Sequence, residues 1–221
     1  MNVRDALKAR KSIRAFLEKP VERAVIEKLL DAARHAPSGA NTQPWQVAVV
    51  SGSKKQEIQQ KMEARFRSGE RGRMDYRYYP ENWFSPFIER RRNCGAQLYA
   101  SLGIESEDKQ QRADQWAANY RSFGAPVVLY FFLDGRLATG SFVDFGMFLQ
   151  SLMLAAVGVG LATCPQAALA EYPDIVKQAL GYPDDSILLC GMALGYEDKD
   201  APVNNYRTPR EDVHTFTRFF E

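Results

Sequence analysis

The clearest periodicity in the chain lies between residues 22 and 35. Val25, Ile26, Leu29, Leu30 and Ala33 recur at helical spacing with charged residues between them, which predicts an amphipathic helix. Pro37-Ser38-Gly39 then ends it, since proline cannot continue a helix and glycine tolerates the exit conformation. Before it, a short helix over 3–11 leads into an extended stretch, 12–16. After it, 45–50 predicts a strand ended by Gly52, and 53–66 an exposed, charge-rich helix. Residues 125–133 form a continuous apolar run, the pattern of a strand buried on both faces. Residues 144–157 are apolar on every side, as expected of a central buried helix. A helix over 171–180 and a strand over 186–196 complete the regular pattern. From Asp200 onward periodicity fades, although Val213, Phe216, Phe219 and Phe220 offer an apolar face. There are no internal repeats, and the whole predicts a mixed α+β fold.

One stretch breaks this rhythm. Residues 67–122 are dense in Arg, Tyr, Trp and Asn, with breakers at Tyr78-Tyr79-Pro80 and 83–86 and a helical pattern over 90–102. No low-complexity linker bounds it, so it reads as a lid or insertion within one domain, 1–221, rather than as a second domain. Its aromatics, Tyr76, Tyr78, Tyr79, Trp83, Phe84 and Phe87, suit either a wall for a flat substrate ring or packing of the lid onto the body.

Composition narrows the class further. Twenty-nine basic against 27 acidic residues leave a net charge of +2, too small an excess for a protein built to coat phosphate backbones. A nucleic-acid module using the arginines and aromatics of 67–92 remains as a third reading, diluted by Glu70, Asp75, Glu81 and Glu89. The longest apolar stretch, 142–161, is interrupted by Asp144, Gln150 and several glycines and is expected to be a buried helix rather than a membrane span. Residues 1–14 alternate charged and apolar positions without an apolar signal core. Cys94, Cys164 and Cys190 are odd in number and scattered, so a reducing cytoplasm is expected, with the three as small buried fillers.

Most familiar chemistries find no support. Two histidines, His35 and His214, provide no paired metal spacing, and no GxSxG elbow or triphosphate-binding loop occurs. The run Gly158-Val159-Gly160 lacks the third glycine of a dinucleotide fingerprint and follows a helix instead of a strand. Two N-terminal stretches stand out instead. In Arg10-Lys11-Ser12-Ile13-Arg14 an extended backbone would send Ser12 and Arg14 to one side, and arginine forks suit phosphate or ring-carbonyl oxygens. A solvated helix end is the plainer alternative. In 36–45, two prolines stiffen a loop that presents Ser38, Asn41 and Gln43, although turns favour such residues anyway.

Together and in this order the two stretches resemble the FMN-dependent nitroreductase family. The resemblance continues through Phe123-Gly124-Ala125-Pro126, a helix start at Asp144-Phe145-Gly146, the run 160–166 ending Cys164-Pro165-Gln166, Gly191 to Tyr196, and 204–210. It implies an α+β nitroreductase-like fold: a central, mostly antiparallel sheet flanked by helices, with a helical lid insertion, in an intertwined homodimer. It further implies a tightly bound FMN, NAD(P)H as reductant, a small aromatic substrate, and FMN sites at the subunit interface.

By the same resemblance Arg10 and Arg14 would contact phosphate or the pyrimidine edge, with Lys11 and Ser12 assisting. Pro37, Ser38, Gly39, Asn41 and Gln43 would come from the other subunit. Pro165, Gln166, Ala167 and Ala168 would lie along the flavin ring, with the Ala167 N–H on flavin N5. Arg207 matches the late phosphate-binding arginine and Arg210 is its rival, while Asn205 and Tyr206 stand where many relatives carry a lysine. No side-chain acid or base is then needed, since hydride passes through the flavin in a ping-pong cycle. The implied reaction is reduction of nitroaromatics, and of quinones as a further class. Removal of halogen from aromatic rings, cleavage of the flavin itself, or reduction of activated alkenes are the alternatives on the same scaffold. No nucleic-acid or membrane partner is expected.

Overall fold

The computed structural model describes residues 1–221. Four strands, β1 (Gln46–Ser51), β2 (Val127–Leu133), β3 (Ala162–Gln166) and β4 (Ile187–Gly195), form one sheet in the order β1-β2-β4-β3. Every neighbouring pair is antiparallel. The helices are α1 (Val3–Ala9), α2 (Arg23–Ala33), α3 (Gly52–Arg67), α4 (Phe87–Ser101), α5 (Lys109–Ala117), α6 (Gly140–Gly158), α7 (Pro173–Leu180) and α8 (Val213–Phe216).

The apolar run of β2 is buried along its whole length because both faces of the sheet are covered. Val127, Leu129, Phe131 and Leu133 pack with Leu29 of α2 and Phe145, Phe148 and Leu152 of α6. Val128, Tyr130 and Phe132 point the other way, onto Ile58 and Met62 of α3 and Ile175 and Val176 of α7. Each large side chain so buried contributes on the order of 1.5–3 kcal/mol.

At the far end the parity of β4 breaks. Phe131 pairs with Cys190 but Phe132 with Leu188, so Leu189 is a bulge residue. Further along β4, a Cβ on Gly191 would lie 2.7 Å from that of Leu169, so only glycine lets the turn after β3 pack this closely. Residues 67–122 use the bulge as their anchor. The Leu188 N–H donates to Asp75 (2.8 Å), and the Tyr76 hydroxyl donates to the Leu189 carbonyl (2.7 Å). Lys177, 5% exposed, pairs with Asp75 at 2.9 Å.

Several elements depart from the sequence expectations. Gly52 does not merely end β1: at φ +58° it makes the turn, and α3 starts on it, burying Ile58, Gln59 and Met62 beneath its charges. Helix α6 begins at Gly140, not at Asp144. It buries one stripe, Phe145, Phe148, Leu152, Met153 and Ala156, while Val143 stays 67% exposed. Most of its other residues are only half-buried within one chain. By length and composition it is the one helix able to cross a bilayer, yet it packs on α1, α2 and β3.

Strand β3 and helix α5 were not foreseen. Pro165 breaks any strand pattern, but it is tolerated in a strand at the sheet's edge. Within 67–122, α4 buries no residue, whereas Ala117 and Tyr120 beyond it are fully buried. Of the cysteines, Cys164 and Cys190 are buried as expected but Cys94, on α4, is exposed.

Candidate cofactor site

The extended N-terminal segment docks on the outer edge of β3. Ser12 forms a parallel bridge with Thr163, and the Ile13 N–H donates to the Thr163 carbonyl (3.0 Å). Phe16 then bridges Glu197 just beyond β4. The segment is therefore a short fifth rung of the sheet, and it carries Arg10 and Arg14 past the start of the β3 turn.

The C-terminal segment closes over it. Arg207 donates to the Arg10 carbonyl (3.0 Å) and the Ala9 carbonyl (3.5 Å), while Arg210 folds onto its own loop at Thr208 and Pro209. Arg14 donates to the Tyr206 hydroxyl at 3.2 Å. Burial, followed by repulsion from Arg210 and Arg207, holds the Arg10 pKa below its ordinary value. None of Arg10, Arg14, Arg207 and Arg210 lies within 4.0 Å of a carboxylate, in a chain where 14 other ion pairs form. Arginines near one another without a carboxylate partner suit a dianion, because charge-assisted pairs would relieve the repulsion that Arg10 feels from Arg207 and Arg210.

Lys11, although next to Arg10, is not part of that cluster. Its Nζ pairs with Glu197 (2.8 Å) and donates to the Asn204 carbonyl. The buried Cys164 thiol donates to the Pro165 carbonyl (3.9 Å), and burial pushes it up to about 11, so this cysteine stays protonated and unreactive at neutral pH.

Along β3 the predicted ring-contacting residues fall in line but face different ways. Pro165 and Ala167 are half-buried, whereas Gln166 and Ala168 are buried. Gln166 Nε2 donates to the Asn119 carbonyl (3.0 Å) and to Asn119 Oδ1 (3.2 Å), and Ala168 packs into the core beside Leu169. Apart from the Gln166 amide oxygen, only their backbones are left to meet a ligand. The 3-10 turn Ala167–Ala170 has no side-chain cap, so its leading N–H groups can serve an outside acceptor. Two buried oxygens here, Thr163 Oγ1 and Gln166 Oε1, have no hydrogen-bond partner. Cationic end, flat strand and open N–H groups together fit FMN.

The second predicted stretch lies elsewhere. Ser38 to Gln43 sit at the N-terminal end of α6, where the Gly39 N–H donates to Asp144 (3.1 Å) and the Gln43 N–H to Ser38 Oγ (2.9 Å). Ala40, Asn41 and Gln43 all have positive φ, +48°, +57° and +48°. Three strained non-glycine residues in one loop are a mark of functional positions. Pro37, Gly39, Asn41 and Gln43 are exposed and Ser38 half-buried. No hydrogen bond joins this loop to the arginine cluster within one chain. Each region borders its own hollow: Gln43 lines one of about 470 Å³ with Trp45 and Arg136, and Arg10 one of about 650 Å³ with Ile13 and Thr163.

Asn204 was missed as a site residue. It is 1% exposed and binds the N-terminal segment through two side-chain bonds and the Asp198 carbonyl through a third, but a lone asparagine in a loop carries no such signal.

Fold and site together define a class: an α+β protein that lays a planar, anion-bearing ligand along the edge of an antiparallel sheet. Comparison with known proteins narrows it. The model of the nitroreductase family matches residues 7–196. A 4-nitrobenzoate reductase from Pseudomonas putida is 38% identical over 211 residues, 96% of this chain and 92% of that protein. The crystal structure of the FMN and NADPH-dependent nitroreductase NfnB from sphigopyxis sp. strain HMH superposes with a TM-score of 0.97 at 40% identity, covering 100% of both chains. That of the FMN-dependent NfnB from Mycobacterium smegmatis in complex with NADPH gives 0.93 at 33% identity, covering 99% of this chain and 97% of the other. The chain belongs to the nitroreductase family.

Proposed function

We propose that the chain is an FMN-dependent oxidoreductase that takes reducing equivalents from NAD(P)H and reduces nitroaromatic compounds. The observation that carries this is the set of four unneutralised guanidiniums at the edge of β3, beside two buried oxygens without partners. The relatives, a nitrobenzoate reductase and two FMN-dependent nitroreductases, support the substrate class and the reductant.

In this reading Arg10, Arg14, Arg207 and Arg210 hold the FMN phosphate and the pyrimidine edge, with Ser12 beside them. The backbones of Pro165, Gln166, Ala167 and Ala168 lie along the ring. Bound FMN supplies the hydride chemistry, which is why the chain needs no catalytic acid, base or metal of its own. A cation near the pyrimidine edge stabilises the negative charge that reduction leaves there.

The homodimer rests on two features. Pro37, Ser38, Gly39, Asn41 and Gln43 form a strained, internally braced loop with no ligand to serve within its own chain. The outer face of α6 and the tail residues Phe216, Phe219 and Phe220 expose apolar surface of the kind that a second copy covers. Residues 67–122 act as the lid. Its aromatic ladder runs from Phe142 through Tyr76, Tyr78 and Tyr79 to Trp83, and Arg91 caps it at 4.9 Å from the Trp83 ring. Arg77 pairs with Glu81 and Arg90 with Glu211, which favours a braced lid over a nucleic-acid surface. Three unpaired cysteines agree with a cytoplasmic location.

The test is the visible spectrum of purified protein under nitrogen. It should show flavin absorbance that NADPH bleaches and a nitroaromatic restores. A protein that stays colourless and takes up no added FMN would overturn the reading. One that binds FMN but turns over only halogenated or alkene substrates would move it to the alternative chemistry.

A further inference from the structure

The four guanidiniums come from segments almost two hundred residues apart in sequence, and Arg207 and Arg210 repel Arg10. Arg10 and Arg14 lie on the N-terminal segment, Arg207 and Arg210 on the C-terminal arm. Beyond the bonds Arg207 itself makes to the Ala9 and Arg10 carbonyls, an uncharged tie between the two segments would resist that repulsion before any anion arrives. Asn204 is placed to do so. Its Oδ1 accepts the Arg14 N–H (2.8 Å), and its Nδ2 donates to the Ala15 carbonyl (2.9 Å) and the Asp198 carbonyl (2.8 Å). Its own carbonyl accepts from Lys11 Nζ, which Glu197 neutralises at 2.8 Å. The residue is 1% exposed, and both amide protons and the amide oxygen are used.

We propose that Asn204 is a positioning residue for the cofactor's phosphate. It latches the arm that carries Arg207 and Arg210 onto the segment that carries Arg10 and Arg14, so the cationic cluster exists before the anion binds. The inference rests on the FMN reading of the site but assigns a role the resemblance does not. Asparagine suits the role for a physical reason. Aspartate would set a carboxylate against two carbonyl oxygens, and lysine or arginine would add to the repulsion at the cluster. The same geometry reassigns Lys11, which secures the latch instead of gripping the cofactor.

The latch also predicts a linkage. Any phosphate that draws the four guanidiniums together stabilises the docked arm, so inorganic phosphate alone should mimic part of the effect of FMN.

The experiment compares wild type, Asn204→Ala and Asn204→Ser with a control, Leu29→Ala, whose truncation lies in the α2 core away from both segments. Three quantities are read: FMN dissociation constant by flavin fluorescence, the melting-temperature rise produced by inorganic phosphate, and the rate of tryptic cleavage after Arg207. Loss of two or three buried hydrogen bonds predicts at least a tenfold weaker FMN affinity in both variants at Asn204. It also predicts a smaller phosphate-induced rise, and faster cleavage after Arg207 while the body of the protein stays intact. The control should lose melting temperature but keep FMN affinity and its phosphate response.

An FMN affinity within twofold of wild type in a folded Asn204 variant overturns the proposal. So does a loss of affinity that the control reproduces at equal loss of melting temperature. Should Asn204→Ala not fold, Asn204→Ser, which keeps one short polar group, supplies the comparison. A wild-type protein that binds no FMN would defeat the functional reading. The arm-release measurement would still decide the latch, since it needs no cofactor.

Discussion

The edge of β3 and the loop at the start of α6 both carry sequence-predicted cofactor residues, yet they are built in opposite ways. At β3, chain segments far apart in sequence are pinned by buried neutral bonds, and a surplus of positive charge is left over. At α6, one short loop is braced by Asp144 and by bonds within itself, and it holds three non-glycine residues at positive φ. The first region is a site lacking its ligand's charge; the second is a rigid, exposed group with nothing of its own chain to bind. The difference is what the proposed dimer would require, in which the loop of one chain meets the arginine edge of another.

The largest expected effect comes from reversing charge in the cluster. Arg10→Glu removes one favourable charge-assisted contact and adds a repulsive one, so FMN affinity should fall by about 100-fold or more in a fluorescence titration. An affinity near that of wild type would show that the cluster is not the anion site.

The next prediction tests whether the halves lie on different chains. A Cβ on Gly39 would have only Asp144 Oδ2 nearby, at 3.9 Å, so Gly39→Phe should fold normally. It should nevertheless lose activity by blocking the neighbouring subunit. Mixing Arg10→Glu with Gly39→Phe chains under exchange conditions should then restore activity, because one mixed site carries neither change. No recovery in a verified mixed dimer would place both halves within a single chain.

A smaller effect probes the strain directly. Ala40 has φ +48°, a region that costs an alanine roughly 1–2 kcal/mol, while glycine loses roughly 0.5–1 kcal/mol in chain entropy. Ala40→Gly should therefore raise stability by about 0.5–1 kcal/mol, read by denaturant unfolding. A destabilised variant would mean that the loop is not strained.

The smallest effect lies outside both regions and serves as their baseline. Burial raises the Glu171 carboxyl above its ordinary value, offset in part by the hydrogen bond it accepts from Tyr120. Tyr79 and Tyr172 also feel its charge. A carboxyl with a raised pKa in the folded state adds stability that is present at acid pH and lost as pH rises through that value. Glu171→Gln should flatten this part of the profile, so that its melting temperature gains on wild type as pH climbs from about 4 to 8. A constant difference across that range would discard the assignment.

Much of this was legible in the sequence. The apolar run of β2 and the periodic face of α2 depend on local alternation, which survives into the fold because each packs against one continuous core. The motif at 10–14 and the loop at 37–43 stood out through the family resemblance, since a solvated helix end and an ordinary turn would explain each alone. Strand β3 was hidden, since Pro165 interrupts its pattern and only the segment on one side and β4 on the other make it a strand. The apolar length of α6 suggested burial all round, whereas only one stripe is buried and most of the rest is half-buried in the single chain.

By itself the sequence determined most of the alternation of strand and helix and the two polar motifs, which are local properties of residue type and spacing. Only the tertiary structure decided which charges stay unneutralised. Arg10 and Lys11 are adjacent and alike in sequence, yet Lys11 is paired with Glu197 while Arg10 faces two other arginines. The reason is that electrostatic character depends on distances across the fold. Asn204, a single uncharged side chain remote in sequence from residues 10–14, sets those distances.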